Sequence, residues 1–196
     1  MQKSMKNKIA LITGASRGLG RSIARSLAKK GAELILVART ISALEELDDE
    51  IKSLGSKSTI VPMDLEDNEA IDVLGGEINK KWGKLDILIS NAAIVGEITP
   101  ISHLDPKIWN KVINLNLSVN FRLIRSFEPL LKSSNQSYAI FLSDNNSKIF
   151  SFVETLLPPT IANIGNSGFE STLLRASNSL ANNFPIHTSL QYSATP

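Results

Sequence analysis

Thr13-Gly14-Ala15-Ser16-Arg17-Gly18-Leu19-Gly20 follows the apolar run Ile9-Ala10-Leu11-Ile12 and opens an amphipathic segment from Arg21 to Lys30. An apolar strand, a glycine turn and a helix form the context in which glycine spacing reads as a phosphate site. Three glycines let the chain turn sharply and bring its backbone against a ligand with no Cβ in between. The helix that follows offers N–H groups without intrahelical partners and the positive end of its dipole, which suit a pyrophosphate. Gly14, Ser16, Arg17, Gly18, Leu19 and Gly20 are the candidate cradle. The spacing is G-x-x-x-G-x-G rather than the commoner G-x-G-x-x-G. Taken alone, it also fits a glycine-rich strand-to-helix turn that holds no ligand.

About twenty residues on, Glu33-Leu34-Ile35-Leu36-Val37-Ala38 reads as a second strand. In a dinucleotide site an acid at the tip of that strand binds the ribose hydroxyls, whereas an arginine accommodates a 2′-phosphate. Here Ala38 holds the tip, and Arg39 and Thr40 follow. No carboxylate stands there to repel a phosphate, and Arg17 can add a second cation. The reading is a site for NADP(H) rather than NAD(H). The plainer alternative for Arg39 is a solvated charge after a strand.

The same residues, with others downstream, resemble the short-chain dehydrogenase/reductase family in its NADP-dependent form. Val61-Pro62-Met63-Asp64-Leu65 resembles the family's third-strand end, where Asp64 and Leu65 would contact the adenine. Leu85-Asp86-Ile87-Leu88-Ile89-Ser90-Asn91-Ala92-Ala93 resembles the fourth strand and its N-N-A-G turn, with Ser90 and Ala93 replacing the first Asn and the Gly. The resemblance places Asn91, Ala92 and Ala93 against the cofactor. Trp109 to Leu117 resembles the helix that carries the family's catalytic Asn, which falls on Asn116. The ordered matches run over residues 8–131.

The bulk composition agrees with one domain. A chain of 196 residues with 42% hydrophobic content can bury a sizeable core. A net charge of +2 gives electrostatics no reason to invoke nucleic acid or an acidic membrane. The chain has no cysteine, which excludes disulfides and thiolate chemistry and fits a reducing, cytoplasmic setting. His103 and His187 lie too far apart in sequence for a local metal motif. No apolar run approaches membrane-spanning length, and the basic start is followed by too short an apolar run for a signal peptide.

Apolar strands alternate with amphipathic segments. Strands are expected at 8–13, 33–38, 58–63, 85–90, 137–142 and 185–191, and helices at 18–30, 41–54, 67–82, 106–132 and 167–183. This rhythm predicts an α/β fold: a doubly wound, Rossmann-like parallel sheet of about six strands in a single domain over 1–196, with helices on both faces. Ligand belongs at the C-terminal ends of the strands. The 106–132 segment holds more apolar residues than one core-facing stripe needs. Either it is deeply buried, or part of it pairs subunits in a homodimer or homotetramer, as the resemblance implies.

The expected chemistry fails further along. The resemblance implies hydride transfer between a nicotinamide and a carbonyl or alcohol carbon, with a Tyr moving the proton and a Lys four residues later lowering its pKa. An unperturbed Tyr, with a pKa of about 10, is a poor base at neutral pH. The chain has only Tyr138 and Tyr192, followed four residues later by Leu142 and Pro196. Alignment on Gly168 to Leu173 puts Ala162 and Asn166 at the two positions, and neither titrates. The Ser position falls on Ser143 or Asp144. Ser143 is the candidate that binds a carbonyl oxygen, although a Ser after a strand is also an ordinary turn residue. Ser167 and Glu170 have capping-box spacing, which predicts a helix starting at Gly168 and an irregular segment over 143–166. The family's substrate-covering segment and seventh strand are not found after residue 191, so the chain reads as C-terminally shortened. Substrate identity is left open. The resulting expectation is an NADP(H)-binding oxidoreductase by resemblance, with a degenerate catalytic site, or else a catalytically inactive protein working through dinucleotide binding or subunit association.

Overall fold

The computed structural model describes residues 4–142, which lie within one compact unit, 1–142. Five parallel strands stand in the order β3-β2-β1-β4-β5: β1 Ile9–Thr13, β2 Glu33–Ala38, β3 Ser58–Pro62, β4 Ile87–Ser90 and β5 Tyr138–Phe141. The helices between them are α1 Gly18–Lys29, α2 Ile41–Ser53, α3 Asn68–Trp82, α4 Pro106–Ile113 and α5 Val119–Lys132. Strand order reverses between β1 and β4. The crevice outside their C-terminal ends is therefore the switch point of a doubly wound sheet. The expected sixth strand at 185–191, the helix at 167–183 and the irregular 143–166 segment lie outside the described residues, as does the rest of the expected 1–196 domain.

Period-two alternation sends each strand's side chains to two cores. Ala10, Ile12, Leu34, Leu36, Ile87 and Ile89 pack with Ala24 and Ala28 of α1 and Leu44, Leu47 and Ile51 of α2. Leu11, Ile35, Val37 and Leu88 face Ile71, Leu74 and Ile78 of α3 and Leu123, Phe127, Leu130 and Leu131 of α5. The alanines let α1 approach the sheet closely at the point where the glycine loop enters it. Asp67 caps α3, its Oδ1 accepting from the Glu69 and Ala70 N–H groups, and Gly83 ends that helix in the left-handed region at φ 66°. Asp105 caps α4 through the Lys107 N–H, with Pro106 in the first turn.

Two boundaries correct the sequence reading. The strand expected from residue 85 begins at Ile87, although the Asp86 N–H already donates to the Ile9 carbonyl and the Asp86 carbonyl accepts from the Tyr138 N–H. The helix expected to run unbroken over 106–132 contains a π-helical turn, Asn114–Ser118. There the Asn120 Nδ2 donates to the Asn116 carbonyl at 2.8 Å, so a side chain satisfies a carbonyl inside the widened turn. Six apolar residues of this segment are buried, Val112, Ile113, Leu117 and Ile124 are half-buried, and Trp109 and Phe121 are exposed.

Candidate functional site

β1 ends in Thr13, a wholly buried hydroxyl that fastens the crevice. Its Oγ1 accepts from the Asn91 N–H at 3.0 Å and the Ala92 N–H at 3.1 Å. Asn91 in turn donates through Nδ2 to the Thr13 and Gly14 carbonyls, both at 3.0 Å. The tips of β1 and β4 are thus cross-braced by four hydrogen bonds. Asn91, expected to line the site, spends its amide on this brace.

The glycine loop leaves Thr13 with Gly14 at φ 62°. A Cβ on Gly20 would lie 2.3 Å from the Gly14 carbonyl oxygen and 2.6 Å from Asn91 Nδ2, so the first turn of α1 sits directly on the loop. That closeness aims the N-terminus of α1 at the crevice. α1 has no acidic residue in its first turn, and its N-cap Arg17 makes no side-chain capping bond. The N–H groups there are left to a ligand, and their chemistry is that of an anion site. Ser16 is half-buried, Arg17 and Gly18 are exposed, and Leu19 is 37% exposed. Arg21 faces away, pairing with Glu46 at 3.3 Å and Glu50 at 2.7 Å on α2.

Beyond β2, Arg39 and Thr40 are exposed, and Thr40 precedes α2 without capping it by its side chain. The Arg39 Nη1 is 4.0 Å from Asp64 Oδ2, and both side chains keep about half their surface open (59% and 48%). Asp64 stands in the turn after β3, where its Oδ1 accepts from the Glu66 N–H at 3.0 Å. The Leu65 side chain is buried in the core, so its main chain is what it can offer a ligand.

Asn116 uses both ends of its amide on one residue. The Oδ1 accepts from the Ile94 N–H at 3.0 Å and the Nδ2 donates to the Ile94 carbonyl at 2.8 Å. It clamps the segment leaving β4, which carries Asn91, Ala92 and Ala93. Ser90 Oγ donates to Asn120 Oδ1 at 2.5 Å, tying the same strand tip to the first turn of α5, just after the π turn. Sequence reasoning missed Thr13, although its place directly before the first glycine is a usable signal. It also missed Asn114, Asn120 and Arg122, whose partners are distant in sequence and leave no local pattern. Ser143, Asp144, Ala162 and Asn166 lie outside the described residues.

The sequence model of the short chain dehydrogenase family matches residues 8–154. The chain belongs to that family, a family of oxidoreductases. It is 34% identical over 127 residues to a 3beta-hydroxysteroid dehydrogenase of Mediterraneibacter gnavus, covering 65% of this chain and 46% of that protein. It is also 34% identical over 140 residues to a 2-dehydro-3-deoxy-D-gluconate 5-dehydrogenase of Pseudoalteromonas atlantica, covering 70% of this chain and 54% of that one. A crystal structure of a metagenomic short-chain oxidoreductase in complex with NADP superposes with a TM-score of 0.71 at 25% identity, covering 92% of this chain and 78% of the other. The chain spans about half the length of these two curated relatives. The cross-brace, the glycine cradle and the Asn116 clamp lie together at the C-terminal ends of β1 and β4.

Among the described residues no group of three or more His, Cys, Asp or Glu side chains is placed to hold a metal ion. No described helix is long and apolar enough to cross a membrane.

Proposed function

We propose that this chain is an NADP(H)-binding member of the short-chain dehydrogenase family whose proton-transfer machinery is degenerate. The observation that supports the cofactor reading is the end of β2, where the exposed Arg39 stands in place of a carboxylate, beside Thr40 and across from Asp64. A 2′-phosphate there would meet a guanidinium that is only loosely paired. The cradle fits the rest of a dinucleotide, because the Gly14–Gly20 contact leaves no room for a Cβ and delivers the open N-terminus of α1 to a pyrophosphate. Gly14, Ser16, Arg17, Gly18, Leu19 and Gly20 would hold the phosphates. Asp64 and Leu65 would hold the adenine, and the main chain of Asn91, Ala92 and Ala93 the nearer ribose.

A bound nicotinamide supplies hydride transfer. This chain's described residues would bind and orient, and the tyrosines of the sequence support the degenerate reading. Tyr138 sits at the N-terminal end of β5, paired in register with Ile87 and hydrogen-bonded by Gln136 Nε2 at 2.6 Å, at the edge of the sheet away from the crevice. Tyr192 is the other tyrosine of the sequence and has no lysine four residues on. Asn116, its amide spent on Ile94, would hold the segment leaving β4, and Ser143 would orient a carbonyl without titrating. The reading that follows is slow or absent turnover, with the protein acting through dinucleotide binding and through self-association by the 106–132 segment. A cytoplasmic location accords with the absence of cysteine.

Equilibrium titration with NADPH and NADH tests this. The native protein should prefer NADPH, and Arg39→Asp should weaken NADPH about 10- to 100-fold while changing NADH little, since a charge-assisted bond contributes about 1.5–3 kcal/mol. Equal affinities in the native protein would overturn the NADP(H) reading. In a screen of aldehydes, ketones and quinones, NADPH oxidation should stay at background. Robust reduction of any simple carbonyl would overturn the degenerate-site reading.

A further inference from the structure

We propose that Asn114 is a positioning residue for the adenosine half of the cleft, its amide held between Arg122 and Glu66 so that it sets the turn bearing Asp64 opposite Arg39. The inference rests on the dinucleotide reading and extends it to a residue on the far side of the β3 loop. Arg122 Nη1 donates to Asn114 Oδ1 at 3.1 Å, and Asn114 Nδ2 donates to Glu66 Oε1 at 3.4 Å. A cation at the oxygen end and an anion at the nitrogen end fix which way the amide points. The flipped amide would set its carbonyl against a carboxylate and its NH2 against a guanidinium.

Glu66 belongs to the turn itself. Its N–H donates to Asp64 Oδ1 at 3.0 Å, and the Asp67 N–H donates to the Asp64 carbonyl at 3.2 Å. Asp64 Oδ2 then lies 4.0 Å from Arg39 Nη1. A polar chain therefore runs from α5 through the π turn and the β3 loop to the tip of β2. Beneath it, Leu65 is buried in the same cluster as Leu115, the neighbour of Asn114. Leu65 and Met63 anchor the turn in the core, the Met63 N–H donates to the Ala38 carbonyl at 3.0 Å, and the Asn114 amide ties it to the α4–α5 segment. Among the described residues Glu66 makes no ion pair within 4.0 Å, so the amide is its link to the α4–α5 segment. Without that tie the turn would keep Leu65 and the Met63 N–H bond to the Ala38 carbonyl, but would lose its polar link to the α4–α5 segment, and the spacing between Asp64 and Arg39 would loosen.

Calorimetric titration with adenosine 2′,5′-bisphosphate and with 5′-AMP tests the proposal without requiring turnover. Asn114→Ala should bind the bisphosphate about three- to tenfold more weakly than the native protein. Asn114→Asp should lose at least as much, because its carboxylate faces that of Glu66. The exchange Asn114→Asp with Glu66→Gln reverses the polarity of the bond while keeping it, and adds an ion pair to Arg122. It should return affinity to within about twofold of native. A merely structural role would not give that rescue. Native-like affinity in Asn114→Ala, or a double variant no tighter than Asn114→Asp, would overturn the proposal. A native protein that binds the bisphosphate no better than 5′-AMP would instead overturn the NADP(H) reading, and the inference with it.

Discussion

Gly18 and Gly20 lie two positions apart in one loop and serve different physical ends. At Gly20 the demand is space, since a Cβ would meet the Gly14 oxygen at 2.3 Å and the Asn91 amide at 2.6 Å. The oxygen is backbone and the amide is locked into the brace between β1 and β4, so neither can retreat cheaply. At Gly18 the demand is conformation: φ is 56°, and nothing lies within 4 Å of the place a Cβ would take. Gly20→Ala is therefore expected to cost about 1–3 kcal/mol, as overpacking does, and to abolish 2′,5′-bisphosphate binding by pushing α1 off the loop. Gly18→Ala is expected to cost about 1–2 kcal/mol of left-handed strain and to keep measurable binding. Thermal unfolding and calorimetric titration of both variants check this, and equal losses of affinity at the two positions would contradict it. The sequence showed that glycines mattered here, but could not divide these roles. The division depends on where Asn91, far along the chain, places its side chain.

Among the elements, β1, β4 and the approach to β5 are joined at the end of the sheet opposite the crevice by one carboxylate. Asp86 is buried, and burial alone would raise its pKa. Hydrogen bonds from Lys8, Ser134, the Ile9 N–H and Lys84 outweigh that and hold it at about 2, below its ordinary 3.8. A depressed carboxylate contributes stability above its ordinary pKa and loses it as pH falls through the folded value. Here the window runs from about pH 4 down to about 2, and the contribution is about 2 kcal/mol. Asp86→Asn should lower stability by about that amount in urea unfolding at pH 7, and the difference should close as pH approaches 2. A loss as large at pH 2 as at pH 7 would assign the effect to packing instead. The five described strands and the helices flanking them were legible because alternation and amphipathic period are local properties of the chain. The π turn was not. It is marked by the Asn120 bond to the Asn116 carbonyl and by the ties of Asn114 and Asn116 to Glu66 and Ile94, contacts that span 4, 48 and 22 residues.

At the scale of the molecule, the candidate crevice was legible because its parts sit at strand ends in a fixed order, and the family resemblance rests on those parts. Thr13, Asn114 and Asn120 were hidden because braces between distant elements leave no periodic trace. The apolar surplus of 106–132 leads to a prediction at this scale. Leu115, Val119, Leu123, Phe127, Leu130 and Leu131 are buried and Val112, Ile113, Leu117 and Ile124 are half-buried, yet Phe121 remains 66% exposed and Trp109 49% exposed. Single exposed apolar residues are ordinary on a protein surface. Two large aromatics on one helical segment are less so, because aromatic side chains dominate the energetics of interfaces. Self-association through this segment is the expected outcome: in light scattering at micromolar concentration the native chain should show at least twice its 21.3 kDa. Phe121→Lys should shift that mass toward the monomer while leaving thermal stability within about 0.5 kcal/mol, as a surface change does. A strictly monomeric native protein would show instead that burial in its own core exhausts the helix's apolar surface, leaving Phe121 and Trp109 as isolated exposures.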